Sequence, residues 1–300
     1  MVMTHSPFQI RTILFPTDFS KSSEAAAPHV AGLARAMQAK VCLLSVVPWL
    51  PIWHGASEAY FVVGDAALKE LESDRRISET RALAGLEDLK RKEFADVSCE
   101  LRVKTGGVAE SIVELSQEIS ADLIMMPTHG NGSLRPFLIG SAAAKVMHDT
   151  RCPVWTSPHP RELAPFRLYR EVICAVDYRH CARELIARAQ ELAGLFHSRL
   201  SLVTAIPQPA LNPVSHVSES VRLLRGEILA SLRQVLKELE IDPPLHVLEG
   251  STGEVIRQAA AMEDADLVVI GRGHLNEQMG QLRTHAYEII WNSPCPVLSL

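Results

Sequence analysis

The residues best suited to chemistry lie between Leu123 and Ser141, LIMMPTHGNGSLRPFLIGS. A short apolar run, Leu123 to Met126, gives way to Pro127, Thr128, His129 and Gly130. Nine residues then separate Gly130 from the pair Gly140-Ser141, and Ala142 to His148 reads as a helix. The order is strand, glycine-bearing loop, helix start. Gly130, Gly132 and Gly140 can take positive φ and let backbone approach a ligand closely. Successive N–H groups of such a loop, with the N-terminus of the next helix, suit an anion such as phosphate. Ser141 suits an N-cap or a hydroxyl donor to that phosphate. Glycines that serve only turns would look the same in isolation, so the surroundings must decide.

The elements around the loop alternate. Ile10 to Pro16 is an apolar strand. Ser20 to Gln38 reads as a helix, with Ser20 as its cap, Glu24 in the first turn, and Ala25, Val30, Leu33 and Met37 along one face. Val41 to Val47 is a strand, and Pro48 to Tyr60 an irregular insertion holding Trp49, Trp53 and His54. Val62 to Phe94 is a long charged helix, more a solvated cover than a coiled coil, because its leucines keep no heptad. Val97 to Val103 is a strand, Ala109 to Ile119 a helix, Ala121 to Met126 a strand, and Pro153 to Trp155 opens the last strand. Such alternation predicts an α/β fold with a parallel sheet covered on both faces. In that fold ligands bind at the carboxyl ends of the strands, where strand order reverses. Strand one ends at Pro16-Thr17-Asp18, strand two near Val46, and strand four at Met126-Pro127. If strands one and four are neighbours, Asp18 faces the glycine loop across the crevice. An ionised Asp accepts only, which suits two ribose hydroxyls. A turn or cap role ahead of Ser20 is the equally weighted alternative for Asp18.

The chain repeats itself. Arg11 to Asp18 matches Glu171 to Asp177, Gly106 to Ile112 matches Gly250 to Ile256, Ala121 to Met126 matches Ala265 to Ile270, and Cys152-Pro-Val154 matches Cys295-Pro-Val297. Three hundred residues fit two domains on a prior of roughly 150 each. The expected division is residues 1–158, a linker at 159–168 with three prolines nearby, and residues 169–300. The formal net charge of −5 leaves no basic footprint for nucleic acid. No apolar run is long enough to span a bilayer, and the opening residues lack the pattern of a secretory leader. The six dispersed cysteines, without any CxxC pair, read as reduced structural thiols of a cytoplasmic protein.

Three marks together, the opening Ile13-Leu-Phe-Pro-Thr-Asp-Phe-Ser20, the glycine loop and the closing Cys-Pro-Val strand, resemble the universal stress protein family in its tandem form. The resemblance implies two Rossmann-like domains of flavodoxin-like topology, each a five-stranded mainly parallel sheet with helices on both faces. The ATP-binding branch of the family carries G-x2-G-x9-G-[ST], and here the first glycine is Pro127, so an altered but not abolished edge is expected. The resemblance implies ATP, with or without Mg2+, as the ligand of the first domain. Asp18 would hold the ribose, Val46 and the backbone at Pro16 and Thr17 would frame the adenine, and Met126, Pro127, His129, Gly130, Gly140, Ser141 and Ala142 would line the phosphate path. It further implies that the two domains pair as an intramolecular pseudo-dimer through their final strands, with a homodimer of chains left open.

The second copy departs from this pattern. His274 stands for Gly130, and Arg283-Thr284 for Gly140-Ser141. Gly271 and Gly273 read as an ordinary turn, Arg272 could contact an anion from outside, and Arg283 could fill the phosphate space. No GxxxxGK[ST] P-loop occurs. Ser141, His129 and Asp18 come from different strand ends and make no convincing triad, and His54 alone is a weak metal signal. The function expected is a nucleotide-responsive regulatory protein of the stress response. A slow ATPase and a non-nucleotide-binding interaction module are the alternatives.

Overall fold

The computed structural model describes residues 8–48, 65–129, 139–158, 163–178, 182–206, 215–272 and 282–300. The insertion with Trp49, Trp53 and His54 and the loop residues 130–138 lie outside them. The described residues divide into two compact bodies. The first runs from Ile10 to Val154 without Ile139; the second takes Phe8, Gln9, Ile139 and Trp155 to Leu300.

In the first body β1 (Thr12–Pro16) is central. It pairs in parallel with β2 (Lys40–Pro48), Thr12 opposite Lys40 through Pro16 opposite Leu44. On its other side it pairs in parallel with β4 (Leu123–Pro127), Ile13 opposite Leu123 and Leu14 opposite Ile124. The outer strand is β3 (Cys99–Gly106), which pairs with β2. The order β3-β2-β1-β4 therefore reverses between β1 and β4. Ile13, Leu14, Phe15, Leu43, Leu44, Ile124 and Met125 are wholly buried, which is why these strands read as unbroken apolar runs.

Helix α1 (Lys21–Met37) starts as expected. Ser20 is the N-cap, and its hydroxyl accepts from Ser23 N. Its buried face is wider than one stripe and is built of small residues, Ala26, Ala27, Ala31 and Ala34 beside Val30 and Leu33, because α1 lies across both β1 and β4. Helix α2 (Asp65–Glu93) packs on β2 and β3. Its far end is tied to α1: Arg35 Nε and Nη2 donate to the two carboxylate oxygens of Asp96 at 2.8 and 2.7 Å, and Nη2 also donates to Glu93 O. Phe94, fully buried, meets Phe15 with ring centroids 6.3 Å apart. Helices α3 (Val108–Glu118) and α4 (Ser141–Asp149) pack on each other. Right-handed crossovers put them on the face opposite α1 and α2 once the strand order turns back. The strand expected to end at Val103 continues to Gly106, because the chain turns only where Gly106 takes φ 140°, a value suited to glycine.

The second body repeats the plan with β6 (Glu171–Ala175), α5 (Ala182–Phe196), β7 (Arg199–Ile206), α6 (Ser215–Glu238), β8 (Leu245–Glu249), α7 (Thr252–Met262), β9 (Leu267–Ile270), α8 (Leu282–Asn292) and β10 (Val297–Ser299). Its strand order is β10-β9-β6-β7-β8, parallel throughout. The repeated Ala-Asp-Leu motif has a physical basis. Asp122 Oδ2 accepts from Arg11 N and Thr12 N, and Asp266 Oδ2 accepts from Arg170 N and Glu171 N. Each carboxylate thus fixes the entry of its central strand. The repeated Cys-Pro-Val closes each sheet in the same way, Ile124 N donating to Pro153 O and Val268 N to Pro296 O. The strand after the first of these motifs, β5 (Val154–Ser157), contributes Trp155, Thr156 and Ser157 to the second body. There Trp155 Nε1 donates to Tyr169 OH at 2.8 Å and Thr156 Oγ1 to Val297 O at 3.2 Å.

The cysteines sit as their apolar context suggests. Cys42, Cys174 and Cys295 are buried and unbridged, while Cys152 Sγ donates to Ala121 O. Cys181 lies outside the described residues. Burial pushes the Cys42 thiol up to about 11 and Cys295 to about 12, and raises Cys174 as well. A raised thiol pKa leaves less thiolate, the nucleophile, at any pH below it. At pH 8, native Cys42, Cys174 and Cys295 should therefore label at least about tenfold more slowly than the same thiols in urea, as site-resolved mass spectrometry would show. Rapid native labelling of the three would contradict this placement.

Candidate functional site

Asp18 lies at the exit of β1 and is exposed. Thr17 N still bonds to the sheet, donating to Leu44 O at 2.8 Å. The chain then turns sharply. Asp18 Oδ1 accepts from Ser20 N at 3.0 Å and from Ser23 Oγ at 2.8 Å. Asp18 thus does act as a turn residue ahead of the helix cap. That role holds Oδ1 on the α1 side and fixes the carboxylate at the exit of β1. Thr17 Oγ1 accepts from Phe19 N at 3.1 Å. Phe19 itself takes φ 57°, a left-handed conformation that costs a bulky residue about 1–3 kcal/mol.

Across the switch point β4 delivers Met126 and Pro127, both buried, then Thr128 and His129. Pro127 is the last residue of the strand and lacks the N–H that glycine would have there. Thr128 Oγ1 and His129 Nδ1 are 2.9 Å apart, so the imidazole is turned back on its own loop. Gly130 lies outside the described residues. The loop's return is fixed by one backbone bond, Gly140 N donating to Thr128 O at 2.8 Å. Gly140 does not need positive φ: its φ is −56°. What it needs is space, because a Cβ there would stand 3.1 Å from Thr128 O. Gly140, not Ser141, is the N-cap of α4, and it offers no side-chain cap. An α-helix has no internal acceptor for the N–H groups of its first turn. Ser141, Ala142 and Ala143 therefore present N–H groups at the positive end of the helix dipole. Ser141 is exposed and Ala142 half-buried. On the strand-two side, Val46 is half-buried and pairs in register with Lys104.

The carboxylate after β1 and the glycine-capped N-terminus of α4 after β4 thus lie at the exits of the two strands between which the strand order reverses. Among the described residues no three His, Cys, Asp or Glu side chains form a metal-holding group, and no helix is long and apolar enough to cross a membrane.

The second copy presents a different surface. Arg272 is not turned outward: its Nε donates to Ser299 Oγ at 3.2 Å and its Nη2 to Ser299 O at 3.3 Å. Helix α8 already starts at Leu282, so Arg283 is inside the helix where Gly140 is a cap. The side chains of Arg283 and Thr284 lie outside those described, as do Gly273 and His274. Sequence reasoning missed two features of the first copy: the left-handed Phe19, and Gly85 of α2 beneath its ring. The only available signal was a glycine in the middle of a long charged helix.

Comparisons with known proteins find one family twice along the chain. The pattern of the Universal stress protein family matches residues 9–158 and again residues 168–300. A universal stress protein of Methanocaldococcus jannaschii is 30% identical over 152 residues, 51% of this chain and 84% of the relative. A universal stress protein of Mycobacterium tuberculosis is 23% identical over 202 residues, 64% of this chain and 68% of the relative. Among solved structures, a putative universal stress protein from Pseudomonas aeruginosa has a TM-score of 0.60 at 20% identity, covering 97% of this chain and 93% of that one. One from Archaeoglobus fulgidus has a TM-score of 0.60 at 18% identity, covering 98% and 97%; at such identities the likeness bears on the fold alone. With two family matches spanning nearly the whole sequence, this chain belongs to the universal stress protein family and carries its domain twice.

Proposed function

We propose that the first copy binds one ATP per chain and that the protein acts as a nucleotide-responsive regulator in the cytoplasm. One observation carries the reading: a carboxylate held by its turn at the exit of β1 and a glycine-capped helix N-terminus after β4 follow the two strands that neighbour at the switch point. Asp18 would accept the ribose hydroxyls, with Pro16, Thr17 and Val46 beside the base. The first-turn N–H groups of α4, with Met126, Pro127, His129 and Gly130 along the approach, would take the phosphates. Any Mg2+ would be held chiefly by the phosphates. His129 Nδ1 is engaged with Thr128, so no acid–base step is assigned to it. The intramolecular pseudo-dimer belongs to the same proposal; a scattering profile of two freely moving lobes would overturn it.

Calorimetric titration of the full chain with ATP tests the site. The expected stoichiometry is one. Asp18→Ala should weaken binding by about 1–3 kcal/mol, the range for hydrogen bonds to a charged acceptor. A stoichiometry near two would show that the second copy is competent. No heat and no retained nucleotide would favour a module that works by protein contacts alone. A turnover assay on the same sample separates binding from slow hydrolysis.

A further inference from the structure

Two residues that break local rules meet beside Asp18. Phe19 is a bulky residue at φ 57°. Gly85 lies in the interior of the 29-residue α2, where glycine is a poor helix former. The Phe19 ring lies on the bare backbone of Gly85: a Cβ there would come within 2.8 Å of Cζ, 2.9 Å of Cε1 and 3.2 Å of Cε2. That contact leaves Phe19 only 36% exposed, although it follows an exposed aspartate. Helix α2 is a firm surface to rest on. Arg35 of α1 donates to Glu93 O, at the end of α2, at 2.9 Å, Lys90 Nζ donates to Cys99 O at 3.2 Å, and Thr105 Oγ1 donates to Glu79 Oε1 at 2.8 Å. The next residue after Phe19 donates its N–H to Asp18 Oδ1. The rotation at Phe19 therefore sets where the carboxylate points.

We propose that the Phe19 ring seated on Gly85 is a latch by which α2 holds the left-handed turn that aims Asp18 at ribose hydroxyls. Phe19 and Gly85 are positioning residues, since neither touches the ligand in this scheme. The inference rests on the ATP reading above. It makes α2 part of the nucleotide site although α2 lies on β2 and β3 rather than at the switch point.

The test compares ATP with 2′,3′-dideoxy-ATP on the full chain. In the wild type ATP should bind about tenfold more tightly, equal to about 1.4 kcal/mol. Gly85→Ala should erase that preference while dideoxy-ATP binding stays within about twofold. The same substitution improves helix propensity, so its melting temperature should be equal to or above that of the wild type. A purely structural contact would move affinity and stability in the same direction, and both nucleotides together. Phe19→Ala, which leaves α2 untouched, should erase the preference too. Amide exchange at Ser20 supplies a readout without nucleotide: Gly85→Ala should lower its protection by about tenfold or more, as expected for a locally opened turn. If wild type binds neither nucleotide, or both equally, the ribose reading of Asp18 fails while the Ser20 amide still tests the latch. A Gly85→Ala protein that keeps the tenfold preference, or one with unchanged Ser20 protection, would overturn the latch itself.

Discussion

Gly140→Val should abolish ATP binding, a loss of at least about a hundredfold or about 2.7 kcal/mol, with the fold kept. The backbone angles are not the obstacle, since φ −56° and ψ 142° suit valine. The obstacle is Thr128 O, 3.1 Å from where the new Cβ must stand and itself the acceptor for Gly140 N at 2.8 Å. The single methyl group of alanine can be met by a shift of a few tenths of an ångström, so Gly140→Ala should give an intermediate loss. The two further methyl groups of valine force the loop end off Thr128 and place carbon in front of the first-turn N–H groups of α4. Those groups act on an anion only at hydrogen-bond distance. Gly271→Ala is the control in the second copy. Among the described residues its Cβ would stand nearest to Leu185 Cδ2 at 3.3 Å, the far end of a flexible side chain, and ATP binding should stay within about twofold by calorimetry, as for most distant substitutions. Gly140→Val binding within threefold of wild type would remove α4 from the site. Unfolding followed by circular dichroism checks that the fold survives, because losing a glycine cap costs about 1 kcal/mol.

The architecture was legible because its signals are local. Unbroken apolar runs marked β1, β2 and β4. Ser20 marked the start of α1, and the duplicated Ala-Asp-Leu and Cys-Pro-Val motifs exposed the repeat. The switch point followed, since a parallel α/β sheet admits few strand orders. What stayed hidden depends on contacts across long sequence separations. Asp122 reads as a polar residue near the start of a strand, yet it works by holding backbone 110 and 111 residues away. Gly140 reads as a glycine that needs unusual angles, yet it is required by the carbonyl of Thr128. Phe19 reads as an apolar residue in the β1–α1 turn, and nothing near it in sequence signals that its ring lies on Gly85. Arg272 reads as a free cation in a glycine turn, and only the packing of β10 beside β9 shows that Ser299 holds it.

Trp155→Ala should destabilise the second body by about 3–5 kcal/mol, the cost of emptying a large aromatic site in a core. Trp155 is 1% exposed although it lies in the last strand of the first repeat, ahead of the linker. Its indole donates to Tyr169 OH, and Tyr169 in turn packs edge-on against Phe196 with centroids 5.1 Å apart. The backbone carbonyl of Tyr169 accepts from Ser198 Oγ at 2.7 Å. Burial raises the tyrosine hydroxyl pKa, so the group is neutral throughout the physiological range. Trp155→Phe keeps most of the volume and removes the N–H donor to Tyr169 OH. It should cost less, about 1–3 kcal/mol for a buried polar group left with a poorer partner. The consequence is sharper for dissection of the chain. A fragment of residues 168–300 holds the whole second family match but lacks Trp155 and the Thr156 bond to Val297 O. A fragment of residues 153–300 keeps both. Urea unfolding should place the longer fragment above the shorter by at least about 3 kcal/mol. Trp291, 39% exposed on α8, fluoresces in both, and Trp155 adds its own signal in the longer fragment. The order of experiments follows: a nucleotide titration on residues 168–300 would mix a weakened fold with a missing site, and the second copy should be assayed as residues 153–300. Equal stability of the two fragments would show that Trp155 belongs, in energy, to the first body.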